Sequence, residues 1–565
     1  MTIYYVSKEA IASDNNPGTY ALPWSSLAKV NATAISNGSS VLFRRGDTWR
    51  ENTGLRKSGV GTVALPVTFG AYGEGALPRI DHSIDLSSPS QWTNTGLPTN
   101  IWKATVNGYQ IGQLLLDWNT SSPSAAIMAG RAGFVRGTGT ATTILLSISE
   151  AALLRSVDNW YTGAYIYCYR GTHAGQNRLI TGYIGSTKTA IVGSGSTWDA
   201  SDSYFISGSN YDGMEAAKMF CWSQPDNCVY FNSPSGNPGS VYDGIVGAQR
   251  FRSNINSGSG LDGYTPAYPT SSFIVNDIEF TLSCDDCVLQ VGINSLLDGC
   301  KFSWCGGEWD VENGYRDGYG IMYWTACNNI EVRNCTFYEI YNNAISWQYG
   351  HMDNHKIHHN IFINNGGGNN ETWPQSATYS NFTIVHNTSY GNSQGVIGGQ
   401  LESERQVYSE FFARVCDQNY GPGVYINCIV KNNICYSTSS RLRFFAYSLD
   451  NFVGLDGITY DYNCWSPDHT DCYKYNPNNL LDSLQQWQTI PAAHPDMNST
   501  SDNPLFVDAA NGDFRLQSDS PCKYEGTYLV GYSTRNPPSM GAFEYEDIPP
   551  EPPVTPGDLT PFRRT

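Results

Sequence analysis

Seven phrases recur between Ser271 and Trp465: SSFIVNDIEF (271–280), LLDGCKF (296–302), NIEVRNCTF (329–337), HKIHHNIFI (355–363), NFTIVHNTSY (381–390), CIVKNNICY (428–436) and ITYDYNCW (458–465). Each alternates at period two, which is the period of a strand and not of a helix. One column through them reads Asp277, Gly299, Asn334, Asn360, Asn387, Asn433, Asn463, with steps of 22 to 46 residues. Steps of that size are the repeat lengths of solenoids. The long steps carry polar, Gly-rich insertions. Asn at a fixed corner suits left-handed dihedrals, because its short amide tolerates them and bonds locally. Stacked coils also let each amide bond to the one above. The expected fold is therefore all-β: a right-handed parallel β-helix with an internal Asn ladder, an N-terminal cap and a small inserted β domain. A β-sandwich with chance Asn turns competes with this reading, and seven aligned corners speak against it.

Composition agrees. Charged residues make up only 15% of the 565 residues, while aromatics reach 13%, with 15 Trp and 37 Tyr. Sparse helix formers favour strands and turns. Surplus aromatics suit stacking on sugar rings. The net charge of −18 comes with no basic run, so nucleic acid is not an expected partner. No apolar stretch of about 18 residues exists, so no membrane insertion is expected. The start, MTIYYVSKEA, lacks a charged n-region followed by an apolar core, so no classical signal peptide is expected. Fifteen Cys show no metal spacing. Cys300, Cys335 and Cys464 follow the corner column and should point into the coil as small core residues. Cys284-Asp-Asp-Cys287 has no second CxxC to complete a zinc site, so free structural thiols are expected, as in a reducing compartment.

Three further stretches carry a resemblance. IYYVSKEAIASDNNPGTYALPWSSLAKV (3–30), GSSVLFRRGDTWRENTGL (38–55) and PVTFGAYGEGALPRIDHS (66–83) resemble the N-terminal cap of right-handed β-helix polysaccharide-degrading proteins, the pectin-lyase-like fold. The resemblance implies a short capping helix in the Pro-Trp-Ser-Leu segment. Early strands are expected at Val41–Phe43, Val67–Phe69 and Arg79–Asp81. DNPLFVDAANGDFRLQSDSPC (502–522) resembles the closing segment of the same family. GTHAGQNRLITGYIGSTKTAIV (171–192) with TWDASDSYFI (197–206) resembles a small β module of phage tail fibres and tailspikes. The expected organisation is cap and first coils at 1–83, an entry region at 84–132 and an inserted β domain at 133–208. The main helix with groove loops follows at 209–545 and a Pro-rich tail at 546–565. The resemblance implies a phage-type depolymerase whose partner is a bacterial cell-surface polysaccharide, located on a virion tail or outside the cell. It also implies a homotrimer, although neither a particle-binding head before residue 3 nor a trimerisation domain after residue 545 is recognisable.

Long loops on one edge of a regular stack usually build the binding face. They are expected at 306–318, 349–354, 366–380 and 400–423, between strands YGIMYW, AISWQ, GVIGG and RLRFFAY. Glycoside hydrolysis needs two carboxyl groups flanking the scissile bond. The loops supply Asp310, Asp317, Glu371, Glu402 and Glu404 as catalytic candidates, with Glu308 and Glu312 nearby. Glu402 and Glu404, at i and i+2, face one side of a strand. Substrate-binding candidates are Trp309, Tyr349, His351, Trp373 and Arg405. Trp324 and Trp347 alternate with aliphatics and read equally as core. A solvated loop carboxylate is the plain alternative for each acid. A lyase would instead draw a base and a carboxylate neutraliser from Tyr349, His351, Lys356, Arg405 and Arg441. His358 and His359 should point one in and one out. The HxxxH pair His351/His355 lies on a turn, so neither metal nor other cofactor is expected.

Overall fold

The structure is a computed structural model. It describes residues 1–545 except 52, 58–60, 95–100, 107–110, 121–122, 129–130, 148–157, 174–175, 208–218, 224–226, 250–271, 290–292, 311–314, 324–326, 349, 374–376, 393–408, 414–415, 418–420, 439–442, 447–456, 477–478 and 490–495. Three long sheets of stacked short strands run its length. The first has ten parallel strands, from Ile3–Val6 through Phe273–Asn276 to Ile458–Asp461. The second has nine, from Thr48–Arg50 to Cys464–Ser466. The third begins at Val288–Leu289 and passes through Ile321–Tyr323, Ile345–Gln348, Asn370–Trp373, Ser409–Ala413 and Arg443–Ala446. Each rung pairs in parallel with the next, as Leu296–Asp298 does with Glu331–Arg333 and that strand with Lys356–His358. This is a parallel β-helix.

The repeat works through two adjacent positions. The corner residue has positive φ: Asp277, Gly299, Asn334, His359, His386, Asn432 and Tyr462 lie between 52° and 65°. The residue after it turns inward: Ile278, Cys300, Cys335, Asn360, Asn387, Asn433 and Asn463 are all buried. The column expected from sequence therefore mixes two structural columns, with its first three members at the corner and its last four one step inside. Inside, the amides form a ladder. Asn360 Nδ2 donates to Asn387 Oδ1, Asn387 Nδ2 to Asn433 Oδ1 and Asn433 Nδ2 to Asn463 Oδ1, each at 3.0 Å. Each Nδ2 also donates to a strand carbonyl, Val332, Ile357 and Ile384 in turn. A buried amide without partners is costly, so the ladder satisfies what burial demands. A second buried ladder runs Ile340 N–H to Asn365 Oδ1 and Asn365 N–H to Asn392 Oδ1. An exposed one links Asn294, Asn329 and Asn354, each amide contact at 2.7 Å.

The interior is apolar. Phe280, Phe302, Phe337 and Phe362 stack through four second-sheet rungs, centroids 4.8–5.7 Å apart. Cys300 and Cys335 point in among them, as expected. Cys464 does not: it packs with Ile434, Leu516, Cys522 and Met540 under the C-terminal segment, because Asn463 already fills the inward position. Cys287 and Cys305 form a disulfide, which corrects the expectation of free thiols throughout. Among the described residues eleven other cysteines are buried and form no disulfide, Cys284 among them.

The cap has its helix at Leu27–Ala32. Ser26 caps it by accepting from the Lys29 N–H, and Asp14 accepts from both Ser25 and Ser26. Leu27 and Val30 cover the first coil together with Trp24 and Trp49. Phe273–Asn276 pairs directly with Val67–Tyr72, so residues 82–272 leave the helix between adjacent rungs. Within that excursion Arg131–Val135, Thr143–Ser147, Tyr165–Arg170, Asn177–Ile184, Thr189–Val192 and Ser203–Ser207 close a six-stranded barrel. Antiparallel strands flank it on both sides, Ile111–Leu116 pairing with Ile245–Gln249. Leu115, Val246 and Ala248 seat this excursion on the helix corner at Leu282 and Trp304.

Candidate active site on the outer face of the third sheet

Alternation along the third sheet sends Tyr323 and Trp347 into the core, where their rings stack. The in-register neighbours Met322, Ser346 and Glu371 therefore form an outer column. Adjacent rungs lie about 4.8 Å apart. Ser346 Oγ donates to Glu371 Oε2 at 2.9 Å, and Gln348 Nε2 donates to Ser346 Oγ at 3.0 Å and to Tyr319 Oη at 3.3 Å. Glu371 is 7% exposed, Gln348 7% and Ser346 fully buried. Tyr319 and Met322 pack together beside them. The Tyr319 N–H donates to Asp286 Oδ1 at 2.8 Å. A carboxyl group is thus held by a chain of directed donors on a dry face, where electrostatic interactions weaken least.

The stretch 308–317 lies in the chain between the second-sheet strand Lys301–Ser303 and the third-sheet strand Ile321–Tyr323. It is an antiparallel hairpin, Glu308–Asp310 against Tyr315–Asp317. Register sets Glu308 opposite Asp317, Trp309 opposite Arg316 and Asp310 opposite Tyr315. Directly opposite residues have Cβ atoms about 5 Å apart, and diagonal neighbours lie about 7–8 Å apart with their Cβ atoms somewhat closer. Asp310 and Asp317 are such a diagonal pair. Asp317 leads through Gly318 into Tyr319, so the hairpin base joins the same bonded chain that ends at Glu371. The Cys287–Cys305 disulfide ties the two strand ends that flank this base.

Of the acids expected from sequence, the structure brings Asp310 and Asp317 onto one hairpin and places Glu371 on the outer face of the third sheet. Glu371 and Trp373 lie in the third-sheet strand Asn370–Trp373, not in a loop. GGGNNETWPQ is polar and Gly-rich, yet its register is imposed by Ile345–Gln348 on the preceding rung. Trp373 pairs with Gln348, and Trp309 lies in the hairpin. His351 is exposed three residues past Gln348, its Nδ1 accepting from the Thr378 N–H at 2.9 Å. Tyr349, Glu402, Glu404 and Arg405 lie outside the described residues, as do Trp324, Arg441 and GVIGG. The described rung after Asn370–Trp373 is Ser409–Ala413, within the stretch expected to be loop.

Other expectations need correction. His355 is buried inside the coil between Trp347 and Phe382, its Nε2 at 3.0 Å from the Cys327 carbonyl. Burial pushes its imidazole down to about 4, so it does not converge with the exposed His351. Neither His358 nor His359 points in: His358 faces Glu331 outside the first sheet and His359 occupies the corner. Lys356 lies on the first sheet, away from the third-sheet strands.

Sequence reading missed Asp286, Tyr319, Ser346 and Gln348, which carry no motif and gain meaning only from rung register. It also missed Glu339. That residue sits at a second-sheet corner with φ of 53°, and burial pushes its carboxyl up to about 8. Its recurrence in the corner column with Trp304 and Asn364 was the available signal. Among the described residues, His173, Asp199 and Asp202 on the barrel form a group of possible metal ligands. Asp202 is already engaged by the His173 ring, the His173 N–H and the Asp199 N–H.

No protein-family model and no curated protein matches the chain. Its fold is similar to that of a solved structure described as a glycoside hydrolase, at TM-score 0.50 and 11% identity, covering 85% of this chain and 95% of that one. It also aligns with a GH136 lacto-N-biosidase from Eubacterium ramulus at TM-score 0.36 and 15% identity, covering 84% of this chain and 57% of that one. The tailspike protein gp49 from Pseudomonas phage LKA1 aligns at TM-score 0.12 and 14% identity, over 76% of this chain and 66% of that one.

Proposed function

We propose that the chain is a carbohydrate-degrading enzyme, a glycoside hydrolase that cuts a bacterial surface polysaccharide such as capsule or O-antigen. The observation that carries this reading is the hairpin register, which makes Asp310 and Asp317 diagonal neighbours just before Tyr319, whose hydroxyl is bonded through Gln348 and Ser346 to Glu371. Diagonal neighbours on a strand pair lie about 7–8 Å apart, a spacing that suits the roughly 6.5–9.5 Å carboxyl separation of inverting hydrolysis. One of the two donates a proton to the leaving oxygen while the other draws a proton from water. Glu371, fixed by Ser346, binds sugar hydroxyls beside them. Trp309 and Trp373 supply stacking surfaces. A long solenoid face suits a long polymer. In keeping with this substrate the protein works outside the cell or on a phage tail, with a homotrimer as its assembly.

The test is incubation of purified capsule or O-antigen with wild type, Asp310→Asn and Asp317→Asn. Wild type shortens the chains and both variants lose about 10²–10⁴-fold in rate, the usual worth of a positioned acid or base. A lyase would leave a conjugated double bond with ultraviolet absorbance in the products, which hydrolysis does not. Tight binding with no shortening would make the chain a glycan-binding spike.

A further inference from the structure

Three of the nine histidines meet outside the helix under its C-terminal return, at the corner that follows the first sheet. His359 and His386 hold successive corners and their rings stack at 5.2 Å with planes 10° apart. His358 Nδ1 lies 2.8 Å from His359 Nδ1, and His358 Nε2 lies 3.2 Å from Glu331 Oε1. The segment 523–545 folds back over them. Tyr532 sets its ring edge-on to His358 at 5.0 Å, and Ser533 Oγ lies 3.0 Å from His386 Nε2. Gly541 N–H and Ala542 N–H bond to Asn432 O and Thr388 Oγ1.

The protonation state of His386 follows from its partners. Asn432 Nδ2 donates to the Thr527 carbonyl at 2.7 Å while Asn432 Oδ1 accepts the Thr527 N–H at 2.9 Å. That pair fixes which way the amide faces. Its Nδ2 therefore donates, at 3.0 Å, to His386 Nε2. Ser533 Oγ accepts the Leu529 N–H at 3.0 Å, and with Nε2 already accepting from Asn432 its hydroxyl proton points to the same ring nitrogen, 3.0 Å away. Two donors converge on one imidazole nitrogen, so Nε2 carries a lone pair while the segment is docked. His386 is 1% exposed, so water cannot take their place.

We propose that residues 523–545 are an acid-released strap and that His386 is its latch. A proton on Nε2 turns an acceptor into a donor facing the Asn432 Nδ2–H, which cannot accept it, and it places a positive ring against the His359 ring. The charged groups around the cluster do not offset this. Glu331 is shared with Arg333, which also pairs with Asp298, and Glu331 faces His358 rather than His386. Lys356 and Lys431 lie on the neighbouring strands. On the strap, Arg535 lies over Tyr524, and Glu525 is the only carboxylate between Lys523 and Arg535. Docking favours neutral His386, so protonation leaves it unopposed above the titration of a free imidazole, near about 6.5, and weakens it by up to about tenfold per pH unit below that value. Release uncovers the cluster of Ile434, Cys464, Leu516, Cys522 and Met540.

Amide hydrogen exchange on the full chain at about pH 7.5 and about pH 5, either side of the free imidazole's titration and corrected for intrinsic rate, reads the strap directly. In wild type, amides of 523–545 exchange about tenfold or more faster at the lower pH, while Ile384 and Val430 stay protected. His386→Gln keeps an acceptor oxygen and removes the titration, so its strap stays protected at both values. Ser533→Ala removes one donor from the strap side and leaves the rungs untouched. Its strap is less protected at the higher pH and changes less between the two. A wild-type strap equally protected at both values overturns the latch. So does His386→Gln releasing as wild type does, or Ser533→Ala behaving as wild type.

Discussion

Ser346 Oγ and Glu371 Oε2 are joined by a 2.9 Å hydrogen bond across one rung of the third sheet, in a pair of residues 7% exposed or less. Parallel register alone makes the contact possible: Ser346 and Glu371 are Cα partners, and alternation turns both outward. Gln348 extends the chain to Tyr319 at the root of the 308–317 hairpin.

Removing that bond should loosen Glu371 without unfolding the sheet. A hydrogen bond to a charged group is worth about 1.5–3 kcal/mol, so Ser346→Ala should lower kcat/KM by about ten- to a hundredfold. Gln348→Ala acts one bond further away and should cost less. Steady-state kinetics on a defined oligosaccharide, with Tm measured alongside, checks both. Equal losses in the two variants would contradict the order of the chain.

The two Asn ladders differ in burial and should differ in worth. Asn387 accepts from the Asn360 backbone and side chain inside the coil. Asn387→Ala strands these donors, and each stranded buried group costs about 1–3 kcal/mol. Asn427 donates to Asn381 Oδ1 on the exposed surface at 2.7 Å. Asn427→Gly keeps the left-handed backbone that Asn427 holds at φ 53°, returns its partner to water and should cost under about 1 kcal/mol. Thermal unfolding of the two variants separates them.

Much of this was legible in sequence. Period-two phrases at solenoid spacing pointed to the parallel β-helix, while the cap and the inserted β segment were read from resemblance and, for the insert, from its run of short strands. The ladder was read one residue out of register in its upper half. The corner tolerates Asp, Gly, Asn, His and Tyr, so no single letter marks it. The inward position accepts Ile, Cys or Asn, so Asn334 at the corner and Asn360 inside look alike. Asn370–Trp373 was hidden because a strand's partner across the coil, not its own residues, decides its place. Ser346 and Gln348 were invisible for the same reason.

Glu339 gives stability a pH dependence of unusual sign. Burial raises its folded value to about 8 from an unfolded 4.5. The neutral acid therefore fits the fold at low pH, and stability falls as pH rises between these values. At about 1.4 kcal/mol per unit the cost above pH 8 reaches at most about 5 kcal/mol. Glu339→Gln should raise Tm at pH 8–9 relative to wild type and leave it nearly unchanged near about pH 4. Differential scanning calorimetry across that range tests it. Glu331 titrates the other way. The His358 hydrogen bond holds it down to about 2, so its contribution is present above the unfolded 4.5 and is lost as pH falls toward 2.

The most direct measurement is size-exclusion chromatography of purified bacterial capsule and O-antigen after incubation with wild type, Asp317→Asn and Glu371→Gln. Shortened chains with wild type, and intact chains with Asp317→Asn at matched Tm, are the expected result. Chains cut equally by wild type and both variants would place the chemistry away from the hairpin and the third sheet, and would contradict the assignment.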